Sequence, residues 1–587
     1  MKEAEEIFSK INAKELWSHV VYFSHITRVS GSENERVACE YVRKTLEKYG
    51  VPVEIYEFPS LLSYPLKAKL RVLTPEYKDI ESITHSFSAS TSIKGIEGEI
   101  CYVGSGKTEE YGKASVKNMI ALVDGLVSPL LVRLAEDHGA IGQIHISGED
   151  VMHEMAVAMS WGTPTPESLE KLPRIPVISV RKSDGDYLKK LCAAGSVRVH
   201  LFTKIWTGWK KVRIPVATIR GNGSEADRYV IVGGHYDSWY EGTTDNATGN
   251  AACLELARLF ASIPKGVLKR SIKIAWWPGH STGMYSGSTW FVDNQWKDLS
   301  RNAIAYLNVD SLGCVGATTY VLESTAELRD YSAKIIIETT GLQLKIALPR
   351  RRAEESFQGL GIPSVNLRSM LPENGRATGI DGSGGGWWWH TKYDTIDKAN
   401  ISVLIRDLKV LLFHTFGLCS FPILPFDFSR TADEILETLN NLQKGEKFDL
   451  TDIICDAKEF KEISKECESV MSKVLSAYEK LDKPEEDVEM YEKLFNTINK
   501  YLMKICRLVN PVLYTESGRY GQDPAFDKPL IPSLQSIPEL LQMKEESGEF
   551  RFLKTKLCRE KNKVSDAISL ATEHLKELLT VIEEKMR

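Results

Sequence analysis

The longest apolar runs of the chain lie between residues 206 and 424. DRYVIVGG, RSIKIAWW, AIAYLNVD, TYVLES and PSVNLRS are continuous or alternating runs of strand length, and NAACLELARLFASI carries apolar residues at helical spacing. Strands alternating with helices predict a mostly parallel sheet with helices on both faces. Residues 1–90 start helical and then alternate with period two in VPVEIYEFPS and LKAKLRVLT, the pattern of strands at a sheet edge. Residues 91–205 repeat the strand–helix alternation on a smaller scale: KNMIALVDG, then LLVRLAEDHGA ending at Gly139, then IGQIHISG and IPVISVRKSDGDYLKKL. From about residue 425 strand signals stop. Lys/Glu-rich amphipathic stretches such as TADEILETLNNL and DAISLATEHLKELLTVIEEKMR predict a helical bundle, interrupted by the Gly/Pro loop TESGRYGQDPAFDKPLIPS. The expected organisation is a core of residues 1–90 and 206–424, an α/β insert at 91–205, and a helical domain at 425–587.

Composition adds limits to this picture. A chain of 587 residues is too long for one core. The net charge of −5, from 74 basic and 79 acidic residues, gives no bulk attraction to nucleic acid or to an anionic membrane, so neither is an expected partner. The start, MKEAEEIFSKINAKELW, is acidic and amphipathic and lacks the apolar stretch of a signal peptide. No run approaches the length needed to span a bilayer. Ten scattered cysteines without a CxxC pair read as buried free thiols of a reducing compartment, and a cytoplasmic location is expected.

The candidate chemistry sits in VIVGGHYDSWYEGTTDNATGN. His235 and Asp237 are two apart at the end of an apolar strand and so share a face. Asp245 follows in a Gly/Thr loop just before a helix. AIAYLNVD delivers Asp310 at another strand end, and DGSGGGWWWHTKYD delivers His390 after three tryptophans. Ligands collect outside the carboxyl ends of strands in open α/β sheets. Histidine with carboxylate is an ordinary zinc set, and a carboxylate between two imidazole half-sites can bridge two metals about 3.5–4 Å apart. Asp237 suits an orienting role, accepting from the second nitrogen of His235 or orienting the catalytic water. Each residue taken singly has a blander reading, such as a helix cap for Asp245. Four such residues at successive strand ends of one domain favour a site.

At these residues the sequence resembles the co-catalytic zinc aminopeptidases, including glutamate carboxypeptidase II and transferrin-receptor-like proteins. The matching stretches are GGHYDSW, GTTDNATGNAACLELAR, YSGSTWF, LNVDSLG, GIPSV and WWWHTKYDTIDK. The resemblance implies a three-layer α/β zinc-peptidase core, with residues 91–205 as a protease-associated insert and the C-terminal helices as a dimerisation domain. It implies one or two zinc ions: one on His235, Asp245 and Asp310, the other on Asp245, His390 and one further carboxylate. It also implies hydrolysis of a peptide or related amide at a chain end, by a homodimer. One departure is plain. Active members carry adjacent glutamates after the strand equivalent to SIKIAWW, the first a general base and the second a zinc ligand. Here His280 stands at the base position and Ser281 at the ligand position. Imidazole can accept a proton near neutral pH, so His280 is the candidate base.

Other candidates are weaker. Trp387, Trp388 and Trp389 are expected to wall an apolar substrate pocket or to pack their loop onto the core. Glu354 and Glu355 are expected to be a solvated cluster paired with Arg351 and Arg352, with replacement of the lost glutamates as the alternative. Arg376 and Lys392 are candidates for contact with a substrate carboxylate. His138, His145 and His153 lack ligand-like spacing and read as structural. Two rival functions remain: a non-catalytic scaffold like the transferrin-receptor branch, and a single-zinc acyl-transfer enzyme resembling glutaminyl cyclases.

Overall fold

The computed structural model describes residues 2–481 and 485–586. Its centre is four parallel strands, in the order Ser364–Met370, Ala303–Asn308, Tyr229–His235 and Ser271–Trp277. Thr319–Ser324 extends the sheet antiparallel beyond Ser364–Met370, and Arg198–Ile219 does so beyond Ser271–Trp277. Period-two geometry sends successive side chains to opposite faces. Val230 and Val232 therefore join one apolar cluster, while Tyr229 and Ile231 join another. The first cluster is completed by the helices Thr248–Ala261 and Ile401–Ser420, the second by Phe291, Val292 and Leu299. Burial on both faces explains why these strands read as near-continuous apolar runs.

Two glycines let the central strands converge on their carboxyl ends. A Cβ on Gly234 would lie 1.9 Å from the Val309 carbonyl oxygen, and one on Gly233 would lie 2.6 Å from that of Ala275. Any side chain at Gly234 would push Val309 away, and Asp310 with it.

The edge differs from the sequence expectation. VPVEIYEFPS and LKAKLRVLT are not separate strands but one, Val53–Thr74, paired antiparallel with Arg198–Ile219 along nearly its whole length. Pro59 and Pro65 lie within it, and the register slips just after Pro65. The far end of Arg198–Ile219 also pairs with Ile96–Tyr102, which carries the parallel strands Ile120–Asp124, Gly142–Ile146 and Val177–Val180. The helices Pro129–Asp137 and Lys182–Ala194 accompany them.

The C-terminal region is helical, with Phe428–Leu442, Thr451–Glu479, Glu485–Tyr514 and Gly548–Met586 as its main helices. Its apolar faces merge into the same cluster as the sheet. Buried polar ties reinforce the junction. The Arg507 guanidinium donates to the carbonyls of Gly361 (2.7 Å) and Ser300 (3.2 Å), and Asn510 donates to Glu327 at 2.8 Å. The loop after Tyr514 returns to the core, where Gln522 donates to the Ser356 carbonyl at 3.0 Å. No helix among the described residues is long and apolar enough to cross a membrane. All ten cysteines are free.

Candidate metal centre

The strand Tyr229–His235 ends by burying the His235 imidazole. Its Nδ1 lies 3.0 Å from the main-chain carbonyl of Asp237. A carbonyl oxygen only accepts, so Nδ1 carries the hydrogen and Nε2 is turned to the site. The carbonyl, and not the Asp237 carboxylate at 3.6 Å, is thus the nearer partner, which corrects the expected side-chain contact.

Asp245 sits in the turn Thr243–Ala247 ahead of the helix Thr248–Ala261. Asp394 holds this turn. Its carboxylate accepts from the backbone N–H of Thr244 and of Asp245, both at 3.0 Å, and from the Thr244 hydroxyl at 2.7 Å. Asn246 donates to the Val309 carbonyl at 2.8 Å, tying the turn to the strand end that delivers Asp310. Burial, together with the neighbouring Asp245 carboxylate, pushes the Asp394 carboxyl up to about 7, against the lowering effect of its donors.

The two oxygens of Asp245 face two imidazoles. Oδ1 is 2.8 Å from His235 Nε2, and Oδ2 is 3.0 Å from His390 Nε2. Asp310 Oδ1 is 3.7 Å from His235 Nε2. One ligand atom each from His235, Asp245 and Asp310 lies within 4.8 Å of the others. His390 Nδ1 lies 2.6 Å from the Glu154 carbonyl, so this ring too presents Nε2. Two neutral imidazole nitrogens facing carboxylate oxygens at such distances repel unless a proton or a metal cation is shared between them. Burial pushes the Asp245 carboxyl up, but the His235 and His390 rings, when protonated, outweigh it and hold it well below the usual range. Neutral imidazole and carboxylate donors are what zinc takes, and the spacing suits a shared ion. The residues present therefore fit a metal.

His280 follows directly on the strand Ser271–Trp277. Gly279 before it adopts φ +69°, and its N–H donates to Ser30 at 2.7 Å. The His280 ring stacks on that of His235 with centroids 3.9 Å apart. Its Nδ1 lies 2.8 Å from Glu354 Oε1. Nε2 has no hydrogen-bond partner among the described residues, and the ring lines a cleft of about 530 Å³ beside Asp245, Asp310 and His390. Ser281 also lines the cleft, where it offers only a hydroxyl.

Several expectations need correction. Glu354 and Glu355 are not a solvated cluster: both are fully buried. Glu354 is paired with His280, and Gln358 donates to Glu355 at 3.2 Å. Burial pushes the Glu355 carboxyl up to about 7. Of the three tryptophans only Trp389 reaches the cleft, stacked on His390 at 3.7 Å. Trp388 is buried and donates to the Thr244 hydroxyl at 3.1 Å, while Trp387 is partly exposed beside Tyr393. Arg376 donates to the Leu371 carbonyl at 2.7 Å, and Lys392 lies over Tyr393; neither lines the cleft. Its basic wall is Arg351, Arg352 and Arg368, against which Glu323 and Asp381 are set. His153, expected to be structural, donates to the Trp389 carbonyl at 2.6 Å, next to His390, and that bond is a structural tie. Asp394 was legible in principle, four residues after His390 in WWWHTKYD, but nothing in the pattern showed that it caps the Asp245 turn.

The chain is similar to known proteins. Residues 216–412 match the model of peptidase family M28. A probable glutamate carboxypeptidase of Arabidopsis thaliana (AMP1) is 24% identical over 536 residues, covering 76% of this chain and 74% of that protein. An aminopeptidase of Pseudomonas aeruginosa is 25% identical over 310 residues, 49% of this chain and 54% of that one. Among solved structures, the aminopeptidase from Aneurinibacillus sp. strain AM-1 superposes with a TM-score of 0.55 at 21% identity, covering 71% of this chain and 96% of that chain. Residues 216–412 of this chain thus match peptidase family M28, and the chain shares the fold of that aminopeptidase.

Proposed function

We propose that this protein is a metal-dependent exopeptidase. The observation that carries the reading is the bridging placement of Asp245, one oxygen toward His235 and the other toward His390. Zinc is the metal the donor set suits best. His235, Asp245 and Asp310 would hold one ion tightly. Asp245 and His390 form only half of a second site, because Ser281 replaces the carboxylate that would complete it. When bound, the ion supplies a Lewis acid that polarises a peptide carbonyl and activates water.

The rest falls to side chains. The Asp237 and Glu154 carbonyls keep both ligand imidazoles in the tautomer that presents Nε2. Asp394 fixes the turn that carries Asp245. His280, oriented through Nδ1 by Glu354, offers Nε2 to accept a proton on the cleft side. Trp389 and Phe526 line the cleft, and its arginines suit a substrate carboxylate. Retention of His235, Asp245, Asp310 and His390 favours an enzyme over a scaffold relic. Product analysis tests the reading: unblocked peptides should lose residues one at a time from an end, and peptides blocked at both ends should stay intact. Cleavage at internal bonds would overturn it.

Two further parts of the reading concern setting. The ten free thiols support a reducing compartment, and we place the protein in the cytoplasm. We also assign it a twofold dimer through the helical region, where Phe552 and Tyr520 are exposed. Light scattering at micromolar concentration should give twice the 66.0 kDa chain mass. A full-length monomer would refute the dimer. A chain cut near residue 425 should aggregate, because sheet and helices share one apolar cluster.

A further inference from the structure

The ligand His390 is held from outside its own domain. Glu154 and His153 belong to the segment between the strands Gly142–Ile146 and Val177–Val180, more than two hundred residues away in sequence. Three bonds join them to the His390 loop. The His390 Nδ1–H donates to the Glu154 carbonyl at 2.6 Å, the Glu154 N–H donates to the His390 carbonyl at 3.0 Å, and the His153 Nδ1–H donates to the Trp389 carbonyl at 2.6 Å. The Glu154 side chain is itself pinned, accepting from the Tyr240 hydroxyl at 2.9 Å. The far end of the segment is anchored as well. Trp161 stacks on Tyr285 at 3.8 Å and donates to Ser356 at 2.9 Å. Val157 donates to the Ser86 carbonyl at 3.0 Å, and Ser86 to that of Met155 at 2.9 Å. The segment is therefore anchored just beyond the two residues that bond the ligand loop.

We infer that residues 153 and 154 are positioning residues for His390, making the inserted α/β unit part of the metal centre and not merely an appendage beside it. The inference rests on the metal reading above. The chemistry follows from the bonds. An imidazole whose Nδ1–H is spent on a fixed carbonyl keeps Nε2 free for a cation, and the ring cannot turn away. His390 itself sits at φ +55°, a conformation rare for a histidine, so its loop needs outside support to hold that shape. The paired Glu154–His390 backbone bonds and the His153 side chain supply it.

The test is zinc affinity, measured by competition with a chromophoric chelator on the full-length chain, with cobalt absorption as a second readout of coordination. Loss of support around a metal ligand typically costs about 10–100-fold in affinity. His153→Leu should lose that much, and its cobalt spectrum should change. His153→Asn, whose amide can donate where Nδ1 did, should recover most of the loss. Tyr240→Phe, on a partly exposed residue, should show a smaller loss in the same direction. Leu169→Ala, elsewhere in the insert, should match wild type. Wild-type affinity in His153→Leu, alongside loss of zinc in Asp245→Ala, would overturn the inference and leave the metal reading standing. An Asn variant no better than Leu would also overturn it, because packing and not the bond would then be responsible. A wild type that binds no zinc would instead refute the metal reading itself.

Discussion

Asp245→Ala should strip the protein of metal and of activity together. Among the described residues the carboxylate alone touches both ligand imidazoles, at 2.8 and 3.0 Å, so its removal leaves His390 stranded and His235 with Asp310 alone. Metal polarisation is worth several kcal/mol of transition-state stabilisation, so turnover should fall at least about a thousandfold. The fold should survive. Asp394 grips the turn through the backbone N–H groups of Thr244 and Asp245, and Asn246 ties it to Val309; none of these bonds uses the Asp245 side chain. Elemental analysis after dialysis, turnover and a thermal melt should therefore give loss, loss and near-retention. An Asp245→Ala protein that keeps both metal and activity would mean the centre lies elsewhere.

His280→Ala should divide the two properties that Asp245→Ala removes together. His280 contacts His235 by stacking and Glu354 by a hydrogen bond, but it is not within the donor cluster. Burial and the neighbouring His235 push its proton affinity down, while the Glu354 carboxylate pushes it up; the net direction is up. Removing a general base costs about a hundredfold to ten-thousandfold in rate. Turnover should fall by that range in His280→Ala while metal content stays near wild type. Glu354→Gln should keep the Nδ1 bond but lose the charge, giving a smaller drop in turnover. Replacing His280 and Ser281 together by glutamates would install the pair that the family resemblance implies, and should raise aminopeptidase activity and complete the second half-site. Full activity in His280→Ala would place the base elsewhere. Glu355, buried and pushed up to about 7, would be the next residue to change.

The strand ends that carry His235 and Asp310 were legible because strands buried on both faces leave unbroken apolar runs, and because such runs end at the ligand side of the sheet. The helix after Asp245 was legible from its spacing. What escaped the sequence depends on partners remote in the chain. Glu354 looked like surface charge because its partner His280 lies 74 residues away. The tie from His153 escaped because Trp389 lies 236 residues away. The three tryptophans are alike as letters. Only the turns at Ser383, Gly384 and Gly385, all at positive φ, set Trp389 against the cleft and Trp388 into the core. The single edge strand looks like two in sequence because Pro59 and Pro65 fall within it, where proline removes a ladder donor. In the structure the register slip after Pro65 absorbs the second of them.

The most direct measurement is chain-end hydrolysis by the full-length protein before metal removal, after it, and after zinc is returned. Metal dependence and exopeptidase action predict residues released from an unblocked peptide by the untreated protein, none after exhaustive chelation, and recovery when zinc is restored at about one ion per chain. Hydrolysis that persists undiminished in protein shown by elemental analysis to be free of metal would contradict the account.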